Sequence, residues 1–241
     1  MLKLYHKLST WWPLLSPVAD YTEEAAFFMR VLREADLPAA ASLLELGSGG
    51  GNNAYHLKPH FAHITLTDIA PEMLAISRLL NPACEHLEGD MRSLRLHRTF
   101  DVAFIHDAID YMLTLQDLES ALQTAAVHCK PRGLALFAPD FVRETFQPST
   151  DHGGTDDASR KLRYLEWNYD PDPDDNTYCM EFVYLLREDA QATQVEHEVH
   201  TCGLFARTDW LQLLSKVGFE ETKVIQDPFA RELFVCRKGS V

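Results

Sequence analysis

The sequence contains little cysteine, no closely spaced cysteine pair and no long apolar run. Its five cysteines are scattered along the chain and odd in number, so neither a disulfide framework nor a zinc site is indicated. No apolar stretch reaches the length that crosses a membrane, and the first residues lack the apolar core of a secretory signal. We therefore expect a cytoplasmic protein that binds no metal and no membrane.

Positive charge is also scarce. Lys and Arg number 22 against 36 Asp and Glu, which gives a formal net charge of −14. Such a chain is not expected to bind nucleic acid, because the phosphate backbone would repel it. The same charge is compatible with a small substrate that carries an amine. The length of 241 residues and the 46% of hydrophobic residues suit one α/β domain (residues 1–241) with an insertion.

Glycine is uncommon overall, yet four of the eleven glycines fall within positions 47–51. They follow an apolar run, predicted as a strand, and precede a short predicted helix. Gly47 can leave the strand through a turn that would strain other residues. Gly49 lets the backbone approach a ligand closely, and Gly51 lets the helix pack against the strand. The free N–H groups at the start of the helix favour an anionic ligand group.

Two acidic positions follow this loop at informative spacing. Asp68 ends the next predicted strand, about 20 residues after the first glycine, where a carboxylate reaches a ribose diol. The triplet Gly89-Asp90-Met91 follows a third apolar segment. Glu45, the glycine loop, Asp68 and this triplet, in that order, resemble class I S-adenosylmethionine (SAM)-dependent methyltransferases over about residues 40–140.

The resemblance implies SAM as cofactor and S-adenosylhomocysteine as product. It implies cofactor contacts at Tyr21, Glu45, Gly47, Ser48, Gly49, Asp68, Ile69, Met73, Asp90, Met91 and His106. For Met73, plain core packing is an equal alternative. An NAD(P)-dependent oxidoreductase is the nearest competing class, although its fingerprint needs glycine where this chain has Asn52. A non-catalytic SAM-binding regulatory protein is a third alternative.

The candidate catalytic residues follow the apolar run 100–105, which we predict as a central parallel strand. Ligands of open α/β sheets bind beyond the carboxyl ends of the strands, so His106, Asp107 and Tyr111 are placed to meet cofactor and substrate. Histidine ionises near neutral pH, and an aspartate attracts an ammonium or the sulfonium. The alternative is that Asp107 and Asp110 only cap the following helix.

The N-terminal residues are rich in aromatic side chains, which predict either a lid over the cofactor or a plug at the edge of the core. Tyr5, Asp20-Tyr21, the Gly-Asp-Met triplet and a late Gly-Phe…Phe-Val tail resemble a narrower group of small-molecule methyltransferases. This group includes enzymes that N-methylate deoxyaminosugars. The resemblance implies that Tyr5 and Tyr21 touch the cofactor or cover the transferring methyl group.

The fold implied by the resemblance is α/β, with a Rossmann-like, seven-stranded, mostly parallel sheet flanked by helices and an antiparallel last strand. Four parts are expected: N-terminal lid helices (1–36), a SAM-binding core (37–146), an antiparallel insertion (147–204), and a last helix with a closing strand pair (205–241). Thr208 is predicted to cap that helix.

The insertion is predicted to hold a mobile loop at 147–159 and three strands at 161–169, 177–187 and 194–201. We interpret it as a cover over the substrate, with extra sheet of no function as the alternative. Candidate substrate contacts are Tyr5, Asp140, Tyr164, Trp167 and Tyr178. The expected activity is methyl transfer from SAM to an amine or hydroxyl of a small molecule, and a homodimer is compatible with the sequence.

Overall fold

Two β-sheets organise the chain in the computed structural model, which describes residues 2–240. In chain order the strands are β1 (Ser42–Leu46), β2 (His63–Asp68), β3 (Glu85–Glu88), β4 (Phe100–Ile105), β5 (Cys129–Phe137), β6 (Ser149–Gly153), β7 (Arg160–Tyr169), β8 (Thr177–Glu188), β9 (Gln194–Gly203), β10 (Phe219–Gln226) and β11 (Glu232–Lys238). The helices are α1 (Trp12–Leu15), α2 (Thr22–Glu34), α3 (Asn52–Leu57), α4 (Pro71–Leu80), α5 (Leu115–His128) and α6 (Arg207–Lys216). Short 3₁₀ turns cover Ser9–Trp11, Val18–Tyr21, Lys58–His60 and Asp107–Tyr111.

The main sheet has seven strands in the order β10-β11-β5-β4-β1-β2-β3. Strands β1 to β5 pair in parallel, whereas β11 is antiparallel to both β5 and β10. The predicted sheet, with its antiparallel last strand, is therefore confirmed. The strand order reverses between β1 and β4, and ligands of open α/β sheets bind at the carboxyl ends of strands at such a reversal.

Each face of this sheet is covered by a separate apolar layer. Leu44 and Leu46 of β1 point toward α5 and α6, where they join Trp210. Leu43, one residue away, points to the opposite face and joins Phe28 of α2. This alternation follows from the two-residue period of a strand, and burial on both faces is what makes β1 continuously apolar.

The insertion forms a second, antiparallel sheet in the order β6-β7-β8-β9. Three of its strands were predicted, but the expectation of a mobile loop over 147–159 was wrong in part. Ser149–Gly153 pairs with Tyr164–Asn168 as an edge strand. Its residues are mostly polar and exposed, and an exposed edge strand of this kind lacks the apolar alternation by which strands are recognised.

Two boundaries also differ from expectation. Helix α6 begins after Ala206, whose N–H donates to Asp209 Oδ2 at 3.2 Å, so Thr208 is not the cap. The apolar run 134–138 predicts the fifth strand, but β5 begins earlier, at Cys129. Its register to β4 shifts within the Lys-Pro-Arg-Gly segment, where Arg132 adopts a φ of +63°. No helix within residues 2–240 is both long and apolar enough to cross a membrane.

Candidate active site

A cavity of about 360 Å³ opens at the carboxyl ends of β1, β2 and β4. Its volume is in the range of sites that enclose a drug-sized ligand. The loop after β1 supplies one wall, the residues after β2 and β3 a second, and the turn after β4 a third. The N-terminal residues Tyr5, His6 and Trp12 close the remaining side. We call this the donor cavity.

The glycine loop, which follows β1, forms the wall of the donor cavity that we also call its floor. Gly47 has a φ of +74°, and a Cβ at this position would collide with Ala108 and Met91. The N–H groups of Gly47 and Ser48 both donate to the carbonyl of Thr67 at 2.8 Å, which ties the loop to β2. A side chain at Gly51 would collide with α4, so this glycine lets the start of α3 approach α4.

Asp68 holds the loop from the neighbouring strand. Its Oδ2 accepts a hydrogen bond from the N–H of Gly49 at 2.7 Å, and its Oδ1 accepts one from the N–H of Ala70 at 2.8 Å. Burial raises the pKa of the Asp68 carboxyl, and the two amide donors act in the opposite direction. Each carboxylate oxygen can accept more than one hydrogen bond, so Asp68 can fix the loop and still bind a ligand hydroxyl.

Four buried polar atoms of the donor cavity find no hydrogen-bond partner among the described residues. They are Trp12 Nε1, Glu45 Oε2, Ser48 Oγ and Asn53 Oδ1. Buried polar groups are costly unless they are paired, so these atoms are matched to a ligand that has both acceptors and donors. The methionine end of SAM, with a carboxylate and an ammonium group, fits this set.

Glu45 is the acidic member of that set. Burial raises the pKa of its carboxyl to about 8. A cationic ammonium group beside it would favour the ionised form. When SAM is bound in this cavity, it supplies an activated methyl group on its sulfonium.

The remaining predicted cofactor residues separate into two groups. Ile69, Asp90 and Met91 line the donor cavity, and the Ile69 side chain is exposed beside it. Arg92 pairs with Asp90 at 2.6 Å and keeps the pKa of the Asp90 carboxyl low. Met73 is fully buried under the loop and is not part of the cavity wall in the described structure, which favours the core-packing alternative.

A second cavity, of about 310 Å³, adjoins the first. The two share Tyr21, His106 and Asp107 as a common wall. The other residues around the second cavity are Leu15, Ser16, Asp20, Glu24, Phe229 and Arg231. We call this the acceptor cavity, because it reaches the carboxyl end of β4 from the side opposite the loop.

His106 is the central group of the common wall. Its Nε2 lies 2.9 Å from Glu24 Oε1, and its Nδ1 lies 3.2 Å from Asp107 Oδ1. Burial alone would lower the pKa of His106, but the Asp107 charge and hydrogen bond outweigh it and raise the pKa to about 10. The ring is therefore an imidazolium at neutral pH, and the same charge lowers the pKa of Asp107.

Arg231 forms the second cationic centre of the acceptor cavity. Its guanidinium contacts Glu24, Asp227 Oδ2 at 2.7 Å and Asp140 Oδ1 at 3.3 Å. Burial lowers the pKa of Arg231 to about 10, so it remains charged at neutral pH. Glu24 thus bridges the two cations, Arg231 and His106.

Tyr21 and Tyr111, both predicted to be functional, lie at the cavity walls. The Tyr21 hydroxyl is bonded to Ser16 Oγ at 2.8 Å, and its ring faces both cavities. The Tyr111 hydroxyl lies 2.6 Å from that of Tyr5. The alternative, that Asp107 and Asp110 only cap the following helix, is not supported for α5, because Thr114 caps it by accepting from the N–H of Asp117 at 3.0 Å.

The predicted substrate residues are not brought together. Tyr5 lines the donor cavity, and Asp140 lies behind the acceptor cavity through its contact with Arg231. In the described structure, Tyr164, Trp167 and Tyr178 line neither cavity. Trp167 lies half exposed on the outer face of the second sheet, and Tyr178 is fully buried near Asp110.

Several site residues were missed from the sequence. Glu24 carried a weak signal, because it precedes the apolar residue Phe28 by one helical turn and so shares its inward face. Arg231 carried no signal that separates it from the other arginines, whereas Trp12 belongs to the N-terminal aromatic residues from which a lid was predicted. No cluster of His, Cys, Asp and Glu within residues 2–240 has the arrangement of a metal site.

Comparisons with known proteins agree with this geometry. Residues 43–133 match the family described as "Methyltransferase domain". The chain is 28% identical to the dTDP-3-amino-3,6-dideoxy-alpha-D-glucopyranose N,N-dimethyltransferase of Streptomyces fradiae, over 92% of this chain and 86% of that protein. It is 25% identical to the dTDP-3-amino-3,4,6-trideoxy-alpha-D-glucopyranose N,N-dimethyltransferase of Streptomyces venezuelae, over 90% of each chain.

A solved structure gives the same picture. The sugar N-methyltransferase of a Streptoalloteichus species superimposes with a TM-score of 0.81 at 26% identity, over 91% of this chain and 88% of that one. The oxidoreductase and the non-catalytic alternatives gain no support from these relatives. Residues 43–133 form a methyltransferase domain, and the sheet order, the donor cavity and the relatives are those of class I SAM-dependent methyltransferases.

Proposed function

We propose that the chain is an N-methyltransferase whose acceptor is the amine of a deoxyaminosugar. The observation that carries the proposal is the acceptor cavity, an acidic chamber that shares Tyr21, His106 and Asp107 with the donor cavity. Because the two cavities share these side chains, an amine bound beside them lies next to the donor cavity.

The charge of the chamber favours an ammonium group. Asp20, Glu24 and Asp107 line it, while Asp140 and Asp227 lie behind Arg231. Its two cations, His106 and Arg231, are already paired with carboxylates. An entering amine therefore meets uncompensated negative charge, which attracts a cation in a partly buried site.

The residues of the common wall have distinct roles in this proposal. An amine must lose its proton before it can attack the methyl group, and it arrives mostly protonated. His106 is not the base, because a pKa of about 10 keeps its ring protonated at neutral pH. Asp107, whose side chain is 45% exposed, is the carboxylate that binds the ammonium. Against the effect of burial, the His106 charge lowers the pKa of Asp107, so Asp107 stays ionised and the ammonium proton passes to water. His106 positions Asp107, and Tyr21 helps to exclude water.

The relatives support the substrate class. The match with this chain covers most of the length of two relatives. Their names describe N,N-dimethylation of an amino-dideoxy and an amino-trideoxy sugar. Transfer to a small-molecule amine is consistent with the acidic chamber. A hydroxyl acceptor would gain more from a strong neutral base, which the protonated His106 does not provide.

The direct test is a matched panel of acceptors. A nucleotide-linked deoxyaminosugar, its hydroxyl counterpart and a free amino sugar are incubated with SAM, and products are counted by mass spectrometry. We expect one or two methyl groups on the amines and none on the hydroxyl compound. Methylation of the hydroxyl compound alone would contradict the proposal.

Asp107 provides the residue-level test. Asp107→Asn should lower kcat/KM for the amine by about tenfold or more, the scale of a lost hydrogen bond to a charged group, while S-adenosylhomocysteine affinity changes little. Asp20→Asn, at the rim of the same chamber, is the matched control and should have a small effect. Equal activity of Asp107→Asn and wild type would remove Asp107 from the mechanism.

We also infer a homodimer and a reducing, cytoplasmic setting without nucleic acid partners. The outer face of the second sheet exposes apolar side chains at Leu165, Trp167, Leu185, Val195 and Val199. Such a patch is typical of a contact between proteins. The inference of a reducing setting is supported by the five cysteines, which are all free thiols. Sedimentation of the wild type against Trp167→Arg tests the dimer, which the variant should weaken.

A further inference from the structure

The N-terminal segment, residues 2–16, lies between the donor cavity and the second sheet. Leu2, Tyr5 and Trp12 face the cavity. Apolar residues on its other side pack against the inner face of the second sheet; this cluster contains Leu4, Leu8, Trp11, Leu14, Leu162, Phe182, Tyr184 and Leu186. The position of the segment, and hence one wall of the donor cavity, depends on how it is attached to that sheet.

One buried carboxylate on β9 makes the polar part of this attachment. Glu198 accepts hydrogen bonds from the backbone N–H groups of Lys3 at 2.7 Å and of Leu4 at 3.0 Å. Its side chain is only 7% exposed. Burial alone would raise the pKa of Glu198, but His200 and the two amide donors outweigh it and lower the pKa. A charged, almost fully buried carboxylate is therefore paired with the main chain of the segment.

Glu198 also begins a chain of side chains that ends at the cavity. His200 Nε2 lies 3.2 Å from Glu198 Oε1, and His200 Nδ1 lies 2.7 Å from the Tyr111 hydroxyl. Nε2 makes no hydrogen bond within the described residues, but the nearby carboxylate favours the tautomer with its proton on Nε2, which leaves Nδ1 to accept from Tyr111. Tyr111 then accepts from Tyr5, 2.6 Å away. The Tyr5 oxygen consequently keeps its lone pairs for the donor cavity.

The direction of this chain decides between two roles. A proton relay would lead from the site to solvent, whereas this one ends at a buried carboxylate whose other bonds go to backbone amides. It is therefore suited to fix orientation rather than to export a proton. We propose that Glu198 is a positioning residue, which holds the N-terminal segment over the donor cavity and orients the Tyr5 hydroxyl toward the methyl donor.

The test uses binding of S-adenosylhomocysteine, so it does not depend on the identity of the acceptor. Glu198→Ala should weaken binding about tenfold or more, on the scale of lost hydrogen bonds to a charged group. Glu198→Gln keeps one carbonyl oxygen for one amide and should lie between Glu198→Ala and wild type. Trypsin should cut after Lys7 faster in both variants, and added S-adenosylhomocysteine should slow the cut.

Glu196 offers a matched control two residues earlier on the same strand. It binds the ammonium groups of Lys3 and Lys7 at 2.8 and 2.6 Å near the surface. Exposed ion pairs contribute little, so Glu196→Gln should change affinity by less than about twofold. Tyr5→Phe should keep most of the affinity but lower kcat. This result would distinguish the role of the Tyr5 hydroxyl from that of the position of the segment.

Two results would overturn the proposal. One is wild-type affinity in a folded Glu198→Ala or Glu198→Gln protein. The other is a loss in Glu196→Gln as large as that in the Glu198 variants. If Glu198→Ala fails to fold, Glu198→Gln decides: a lowered melting temperature with unchanged affinity of the folded fraction means a purely structural role and rejects the assignment.

Discussion

Asp68, the proposed ribose ligand, also fixes the glycine loop of the donor cavity. Its two oxygens take the N–H groups of Gly49 and Ala70, one on each side of the cavity floor. The carboxylate therefore fixes the loop before any ligand arrives, and its remaining lone pairs are available to the ligand. Loss of this group removes a ligand contact and loosens the loop at the same time.

Asp68→Ala should weaken S-adenosylhomocysteine binding by about 1.5–3 kcal/mol, the scale of hydrogen bonds to a charged group. Asp68→Asn should lose less, since its carbonyl oxygen still accepts one hydrogen bond. Asp101→Ala is the control: Asp101 binds Ser42 and Lys130 at the start of β4, so its loss should lower stability and leave affinity intact. Calorimetric titration measures both. An unchanged dissociation constant in Asp68→Ala would contradict the ribose assignment.

Among the predicted site residues, those that the structure brings to the donor cavity have a role that is local in sequence. Glu45, Gly47 and Asp68 lie in or directly after short apolar runs, and a strand followed by a glycine loop fixes where they point. Glu24 and Arg231 are 207 positions apart and meet only because α2 and the β10–β11 hairpin fold onto the same edge. No local pattern encodes such a pair, so the sequence did not reveal it.

At the level of elements, the N-terminal segment and the glycine loop meet at one point. A Cβ at Gly50 would collide with the indole of Trp12. Gly50, unlike Gly47 and Gly49, does not have a positive φ, so its lack of a side chain matters for contact rather than for backbone conformation. The absence of a side chain at Gly50 thus lets Trp12 of the N-terminal segment pack against the loop.

Gly50→Ala should displace Trp12, weaken S-adenosylhomocysteine binding and expose the segment to trypsin. A double-mutant cycle isolates the cause. In a Trp12→Ala background, where the ring is absent, adding Gly50→Ala should have almost no further effect. Additive effects of the two substitutions would mean that the alanine disturbs the loop itself, and the proposed contact would then be unimportant.

The predictability of the elements follows their burial. The central strands β1, β2 and β4 of the main sheet are buried over most of their length, and each was predicted from its sequence. Strand β6 was missed because its residues are polar and mostly exposed. The whole insertion was predicted as a substrate cover, and in the described structure Tyr184 and Phe182 on its inner face pack against the N-terminal segment. An apolar face shows that something covers it, not which element does.

At the level of the whole molecule, the site concentrates buried groups that hold protons tightly. The pKa of His106 is raised to about 10 mainly by Asp107, against the effect of burial. Burial raises the pKa of Glu45 to about 8 and that of Asp140 to about 7. In all three cases the folded state binds a proton more tightly than the unfolded chain does. Proton binding at each group therefore stabilises the folded state.

The free energy of unfolding should therefore fall as the pH rises from neutral to alkaline. The His106 contribution is fully present below about pH 6.5 and is lost as the pH rises toward about 10. Glu45 and Asp140 act in the same direction, because the unfolded carboxyls release their protons near pH 4.5 and 3.8 whereas the folded ones retain them up to about 8 and 7.

Urea denaturation from about pH 6 to about pH 9 measures this slope, to which one proton contributes about 1.4 kcal/mol per pH unit. His106→Gln keeps an N–H donor for Glu24 but cannot bind the proton, so its slope should be shallower than that of the wild type by up to this amount. Bound S-adenosylhomocysteine should reduce the Glu45 part of the slope, since its ammonium group favours the ionised carboxylate. Identical slopes for wild type and His106→Gln would show that the imidazolium is not held between Glu24 and Asp107.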